Sequence, residues 1–242
     1  IKYRLMKYVF LRKEGSSQLT IFFTGWGMDD NPFRTISLTN DVLLVYDYTI
    51  IDSIPRHLIE EYQDIRIVAW SFGVWVASVY LFRNISCLPI SEVVALNGTP
   101  FPIDDEKGIS HAIFNGTLNG LNDRTVYKFR KRMCGKQYES FMSHGPQRTT
   151  ENMKQELSAL HQSVIAISFN EEWMRAICRI WKRAYICQDD KIFTAHNQIV
   201  CWSSCDVPTV ECQGEHYDEV LIAALLRGEQ MVDSNLIELN NG

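Results

Sequence analysis

Ser71 lies in Ala69-Trp70-Ser71-Phe72-Gly73, after an apolar run at residues 65–68 and before a run at 74–81 that reads as helix. A serine between small residues at a strand-to-helix turn sits on a bend too tight for larger neighbours. Its hydroxyl is presented at the bend, and the helix N-terminus behind it favours negative charge developing nearby. The chemistry such a serine can do is nucleophilic attack on an acyl carbon. Its hydroxyl is weak at neutral pH and needs a base within hydrogen-bond reach. The chain offers six histidines: His57, His111, His144, His161, His196 and His216.

The strand–turn–helix serine matches Gly-x-Ser-x-Gly with alanine in place of the first glycine, the pattern of α/β-hydrolases, in which chain order is Ser, then Asp or Glu, then His. That order points to His216, in Gly214-Glu215-His216 directly after the apolar residues 207–210. His196 is the rival, in a context that reads as a helix start. The acid must follow the preceding strand, where Cys187-Gln188-Asp189-Asp190-Lys191-Ile192-Phe193 carries two carboxylates. A small residue, two spacers, Asp and an apolar pair select Asp190, with Asp189 the alternative. The acid would fix the imidazole tautomer and stabilise the imidazolium. Thr24-Gly25-Trp26-Gly27-Met28-Asp29, after the strand at 19–23, is placed to supply one backbone N–H of an oxyanion hole. The expected donors are the amides of Trp26 and Phe72. Together these pieces predict a serine hydrolase.

Positioning them requires strands at 8–11, 19–23, 42–46, 65–69, 92–96, 184–187 and 207–210, a short helix at 57–62 after Pro55, and a last helix at 217–227. The strands are continuous apolar runs, as a mostly parallel sheet covered on both faces demands. Alternation with helices predicts a doubly wound α/β sheet, here the α/β-hydrolase fold. From 100 to 181 the strand rhythm gives way to charged helical sequence about twice the length of a normal crossover. The expected organisation is a core of 6–99 and 182–230 with a helical cap inserted at 100–181. A polar tail follows the last helix.

The 242 residues suit one such domain, and 46% hydrophobic with 22% charged residues is ordinary for a folded soluble chain. A net charge of −5 argues against a general nucleic-acid binder. No apolar run reaches the ~20 residues that span a bilayer. The first ten residues mix Lys2, Arg4 and Lys7 with apolar ones, unlike a secretory leader, and residues 1–5 read as a remnant ahead of a start at Met6. Seven scattered cysteines without a leader predict reduced thiols and a cytoplasmic location. Cys201, Cys205 and Cys212, the first two flanking an apparent edge strand, lie near His196 and His216 in sequence. Their spacing matches no common zinc site, so no metal is expected.

Phe22-Phe23-Thr24-Gly25-Trp26-Gly27-Met28-Asp29, Val68-Ala69-Trp70-Ser71-Phe72-Gly73-Val74-Trp75 and Asn97-Gly98-Thr99-Pro100 resemble the BioG type of pimeloyl-[acyl-carrier protein] methyl ester esterase. Phe114-Asn115-Gly116-Thr117-Leu118, the string from Lys128 to Met133, and Asp190-Lys191-Ile192-Phe193 extend the resemblance, which runs from about Tyr8 to Leu226. It implies hydrolysis of pimeloyl-acyl-carrier protein methyl ester to the free acid and methanol in biotin synthesis, without a cofactor. It places the nucleophile, acid and base on Ser71, Asp190 and His216. Against the wider hydrolase pattern, Thr24 stands where many relatives carry His, and Tyr217-Asp218 follow the base where apolar residues are common. Arg124, Lys128, Arg130, Lys131, Arg132 and Lys136 concentrate positive charge that could steer an acidic acyl-carrier protein. Phe114, Phe129 and Phe141 are candidates to line an apolar tunnel, and Trp70 and Phe72 to shape the pocket.

Overall fold

A computed structural model describes residues 6–167 and 171–229. The apolar runs form β1 (Lys7–Arg12), β2 (Gln18–Phe23), β3 (Asp41–Tyr46), β4 (Asp64–Trp70), β5 (Ile90–Leu96), β6 (Arg183–Cys187) and β7 (Thr209–Cys212). They make one sheet in the order β1-β3-β2-β4-β5-β6-β7. Only β1 runs antiparallel, against β3; every other pairing is parallel. Phe22, Leu44, Val68 and Val94 are fully buried, which explains why these strands read as apolar runs without alternation. The fold is the predicted α/β-hydrolase type.

The helices are α1 (Phe72–Asn84), α2 (His111–Asn119), α3 (Asp123–Cys134), α4 (Tyr138–Ser143), α5 (Thr150–Ala166), α6 (Glu171–Ile180), α7 (Ala195–Ser204) and α8 (Glu219–Leu226). Several start at side-chain caps that satisfy orphan amides, each contributing about 1 kcal/mol. Ser110 accepts from Ile113 N, Asn122 forms a capping box with Thr125, Thr149 accepts from Asn152 N, and Asp218 accepts from Leu221 N. Helices α2 to α6 all lie between β5 and β6 in the chain. Of these, α6 packs on α1, with Trp173 5.6 Å from Trp75 between ring centroids. Among the described residues no helix is long and apolar enough to cross a membrane.

Three expectations are corrected. The helix at 57–62 is only a single 3-10 turn, Arg56–Leu58. Ile59 and Tyr62 leave it to enter the core, and the Tyr62 hydroxyl donates to Asp41 at 3.1 Å. Cys201 and Cys205 do not flank a strand: Cys201 lies within α7 and Cys205 caps its end. The thiols are not all reduced, because Cys178 of α6 and Cys205 form a disulfide. The polar tail falls outside the described residues from 230 onward, as do residues 1–5.

Candidate active site

Parallel strands deliver their loops to one edge of the sheet, and the C-terminal ends of β2, β4, β5, β6 and β7 build the site there. Ser71 follows β4 directly. Its φ of 59° and ψ of −131° are costly for a residue with a side chain, on the order of 1–3 kcal/mol. The surroundings enforce that bend. Ser71 N donates to Leu96 O at 3.0 Å. A Cβ on Gly73 would run into the Phe23 and Thr24 carbonyls, and one on Gly98 into the Ser71 carbonyl. The elbow glycine therefore exists because α1 is pressed onto the end of β2.

The structure brings Ser71, His216 and Asp190 together. His216 Nε2 lies 2.9 Å from Ser71 Oγ, and His216 Nδ1 lies 2.8 Å from Asp190 Oδ2. A carboxylate only accepts, so Nδ1 carries the proton and Nε2 presents its lone pair to the serine hydroxyl. Asp190 is saturated with donors. Its Oδ1 accepts from Ile192 N at 2.7 Å and Phe193 N at 3.0 Å, and its Oδ2 accepts from Gln198 Nε2 at 3.1 Å. Asp189 is exposed, while His196 is exposed on the first turn of α7; neither joins the group.

The loop carrying His216 is held by residues whose bracing role the sequence reading did not assign, although it named Trp70 for the pocket. Trp70 Nε1 donates to His216 O at 2.8 Å, and Asn97 Nδ2 donates to the same oxygen at 2.9 Å. Asn97 Oδ1 accepts from Cys187 N at 2.8 Å, so one side chain links the acid and base loops. The signals for Asn97 in the chain are its place at a strand end before Gly98 and the Asn97-Gly98-Thr99-Pro100 string of the family resemblance. Phe193 stacks on the imidazole, 6.0 Å between centroids at 8°. Tyr217, the departure from the usual apolar residue, is buried against Phe141 at 4.7 Å, and its N–H donates to Met133 O at 2.9 Å. Asp218 caps α8, and Thr24 donates its hydroxyl to Val45 O at 3.1 Å.

Gly25 lies against the nucleophile: a Cβ there would stand 3.1 Å from Ser71 Cβ and 3.2 Å from the Trp70 ring. Trp26 is the next residue. Phe72 is the first residue of α1, so its N–H has no carbonyl one turn back to satisfy it. A pocket over Ser71 and His216 is lined by Trp26, Trp70, Phe72, Phe114, Phe129 and Met133, among others, with Arg132 on its wall. Phe141 is not part of it and packs under Tyr217 instead.

The six cations do not form one patch. A groove between α2 and α3 is lined by Gly116, Gly120, Lys128 and others, and shares Ile113, Thr117, Phe129 and Arg132 with the pocket. Arg124 is exposed on the same helix. Lys131 lies over the Tyr127 ring at 4.9 Å and the Tyr138 ring at 5.3 Å. Arg130 turns inward, with Nη2 3.4 Å from Pro146 O, and burial lowers its pKa.

A family model described as pimeloyl-ACP methyl esterase BioG matches residues 6–223. A Bacteroides fragilis protein named malonyl-[acyl-carrier protein] O-methyltransferase is 40% identical over 215 residues, 88% of this chain and 41% of that protein. The chain thus spans about two fifths of that relative. An uncharacterised protein of Haemophilus influenzae is 36% identical over 220 residues, 88% of this chain and 94% of that one. The crystal structure of BioG from H. influenzae superposes with a TM-score of 0.77 at 33% identity, covering 89% of this chain and 95% of that one. A bromoperoxidase from Bacillus anthracis, at 13% identity and a TM-score of 0.65 over 98% of this chain and 95% of that one, shares the fold.

Proposed function

The chain belongs to the family described as pimeloyl-ACP methyl esterase BioG, and on that footing we propose that it is a serine carboxylesterase acting on pimeloyl-acyl-carrier protein methyl ester in biotin synthesis. The observation that carries this reading is the Ser71–His216–Asp190 relay at 2.9 and 2.8 Å beneath an apolar pocket.

In this reading Ser71 Oγ attacks the ester carbonyl carbon while His216 Nε2 takes its proton. The carbonyl oxygen becomes an oxyanion that accepts from the Trp26 and Phe72 amides. Removing one such donor typically costs about 10²–10³ in rate. Collapse breaks the bond to the methoxy oxygen, which leaves as methanol with the proton from His216. Water then attacks the acyl-serine as His216 takes its proton, and collapse returns that proton to Ser71. The product is the free acid, and Asp190 stabilises the imidazolium in both halves. Atoms balance with water as the co-reactant, so the reading calls for neither metal nor cofactor.

Residues 100–181 would serve as a cap over the core of 6–99 and 182–230. The groove between α2 and α3 would admit the acyl chain and its phosphopantetheine arm, with Lys128 and Arg132 at its walls and Arg124 beside them facing the acidic carrier. Trp70 would both line the pocket and brace the base. Lys131 and the inward-turned Arg130 contribute less to docking than the sequence alone implied. A cytoplasmic location belongs to the same reading.

The B. fragilis name describes methyl transfer by a protein more than twice as long as the shared stretch. A serine–histidine relay suits hydrolysis, which we assign to the shared part. The test is incubation with pimeloyl-acyl-carrier protein methyl ester and mass measurement of the carrier. A product lighter by one methylene, with methanol released, is expected. Loss of the whole pimeloyl group would make the protein a thioesterase. An unchanged carrier, with simple esters still cleaved, would overturn the biotin assignment.

A further inference from the structure

Among the fully buried carboxylates that the hydrolytic cycle leaves unused is Glu156, in the middle of α5. Its Oε1 accepts from Tyr48 N at 2.9 Å and its Oε2 from Gly27 N at 3.2 Å. Arg148 Nη2 bridges Glu156 Oε2 at 3.2 Å and Asp47 Oδ1 at 3.1 Å, and all three side chains are nearly or wholly inaccessible. Taking a carboxylate out of water is unfavourable unless its partners need it there. Here the partners are two backbone amides aimed at the same spot, which a single two-oxygen acceptor can satisfy.

One of those amides belongs to the loop that follows β2. The Trp26 indole N–H donates to Met153 O at 2.8 Å, Gly27 N to Glu156, Arg148 Nη1 to Met28 O at 3.0 Å, and Gln147 N to Asp29 Oδ2 at 2.7 Å. Each residue from 26 to 29 is therefore gripped by the segment 147–156. Gly27 has φ of +75°, and a Cβ there would stand 2.6 Å from Met153 Cε, so the loop is moulded onto α5. A peptide plane is rigid, so holding the Gly27 N–H fixes the plane joining Trp26 to Gly27 and with it ψ of Trp26.

We propose that Glu156 is a positioning residue that sets the oxyanion hole from α5, by clamping the peptide next to the Trp26 amide. The inference rests on the hydrolytic reading above, in which that amide receives the oxyanion. It makes the interior of the inserted helices part of the catalytic apparatus without any of their side chains touching the reacting atoms. Glutamine at 156 would keep the volume but offer one acceptor and one donor, leaving one of the two N–H groups facing an NH₂.

The test compares wild type with Glu156→Gln and Trp26→Phe in the full chain, on a p-nitrophenyl ester and with a trifluoromethyl ketone that mimics the tetrahedral oxyanion. Both variants are expected to lose kcat about tenfold or more, part of the ~10²–10³ of an oxyanion donor. For Glu156→Gln, whose side chain does not line the pocket, KM should stay unchanged, and in both variants the ketone Ki should rise in parallel with the loss. Trp26→Phe removes the indole tether to Met153 and trims the pocket wall, so it tests the same loop through kcat and Ki should Glu156→Gln fail to fold. Wild-type kcat and Ki in the folded variants, or a fall in kcat unaccompanied by weaker ketone binding, would overturn the clamp. A wild type that neither cleaves the ester nor binds the ketone would instead overturn the hydrolytic reading on which it stands.

Discussion

An imidazole can accept a proton from Ser71 only if its other nitrogen is already committed as a donor, and Asp190 commits it at 2.8 Å. Asp190→Asn leaves the shape intact but offers an NH₂ where an acceptor is needed. It is expected to lower kcat by about 10⁴, as loss of the tautomer does in comparable triads. Steady-state kinetics on a small ester checks this, and a variant within tenfold of wild type would contradict the assigned role. Away from the relay, burial pushes the Glu156 carboxyl up to about 7 while Arg148 and the Tyr48 and Gly27 amides pull it down. Asp47, beside Arg148, raises it further. The folded state thus holds this proton more tightly than the unfolded chain. Between the ordinary glutamate value of 4.5 and about 7, the contribution of this group to the unfolding free energy falls as pH rises. Relative to Glu156→Gln, wild type should lose up to ~1.4 kcal/mol per pH unit across that window and level off above it. Denaturant titrations of the two proteins across the window measure the slope, and a rise with pH would contradict it. The grouping of Ser71, His216 and Asp190 was legible because each sits in a local motif with a known chain order. The roles of Glu156 and Asn97 were not, since each acts on groups far away in sequence through hydrogen bonds that leave no local pattern.

At the scale of elements, α3 shows how far helical charge reads. The sequence announces a basic helix, but a helix turns its side chains every ~100° and cannot show them all to one partner. Arg124, Lys128 and Arg132, four apart, share a face; Arg130 is half-buried against Pro146. Lys128→Ser combined with Arg124→Ser is expected to raise KM for the carrier-bound ester severalfold, leaving kcat and small-ester hydrolysis unchanged. Equal effects on both substrates would contradict a docking role for that face. The groove between α2 and α3 offers a second lever, because a Cβ on its Gly116 would meet nothing within 4 Å. Gly116→Leu should therefore fold at least as stably as wild type, since Gly in a helix interior costs up to about 1 kcal/mol relative to Ala. Filling the groove should lower kcat/KM for the carrier-bound ester about tenfold or more. Wild-type kinetics in a folded variant would show that the chain enters elsewhere.

For the molecule as a whole, the doubly wound sheet was readable because buried parallel strands must be apolar along their length. The element errors share one cause, which is contact with distant parts of the chain. Ile59 and Tyr62 abandon a helix to reach the core, and Cys205 finds Cys178 across 27 residues. The chain carries a net charge of −5 yet would have to receive an acidic carrier, so its α3 face must act against the overall field. Raising ionic strength should lower kcat/KM for the carrier-bound ester while sparing a neutral small ester. The most direct test of the central claim is labelling with a fluorophosphonate followed by peptide mass mapping. The account predicts a single adduct on Ser71, absent in Ser71→Ala. Labelling that persists in Ser71→Ala, or an unlabelled but folded wild type, would contradict it.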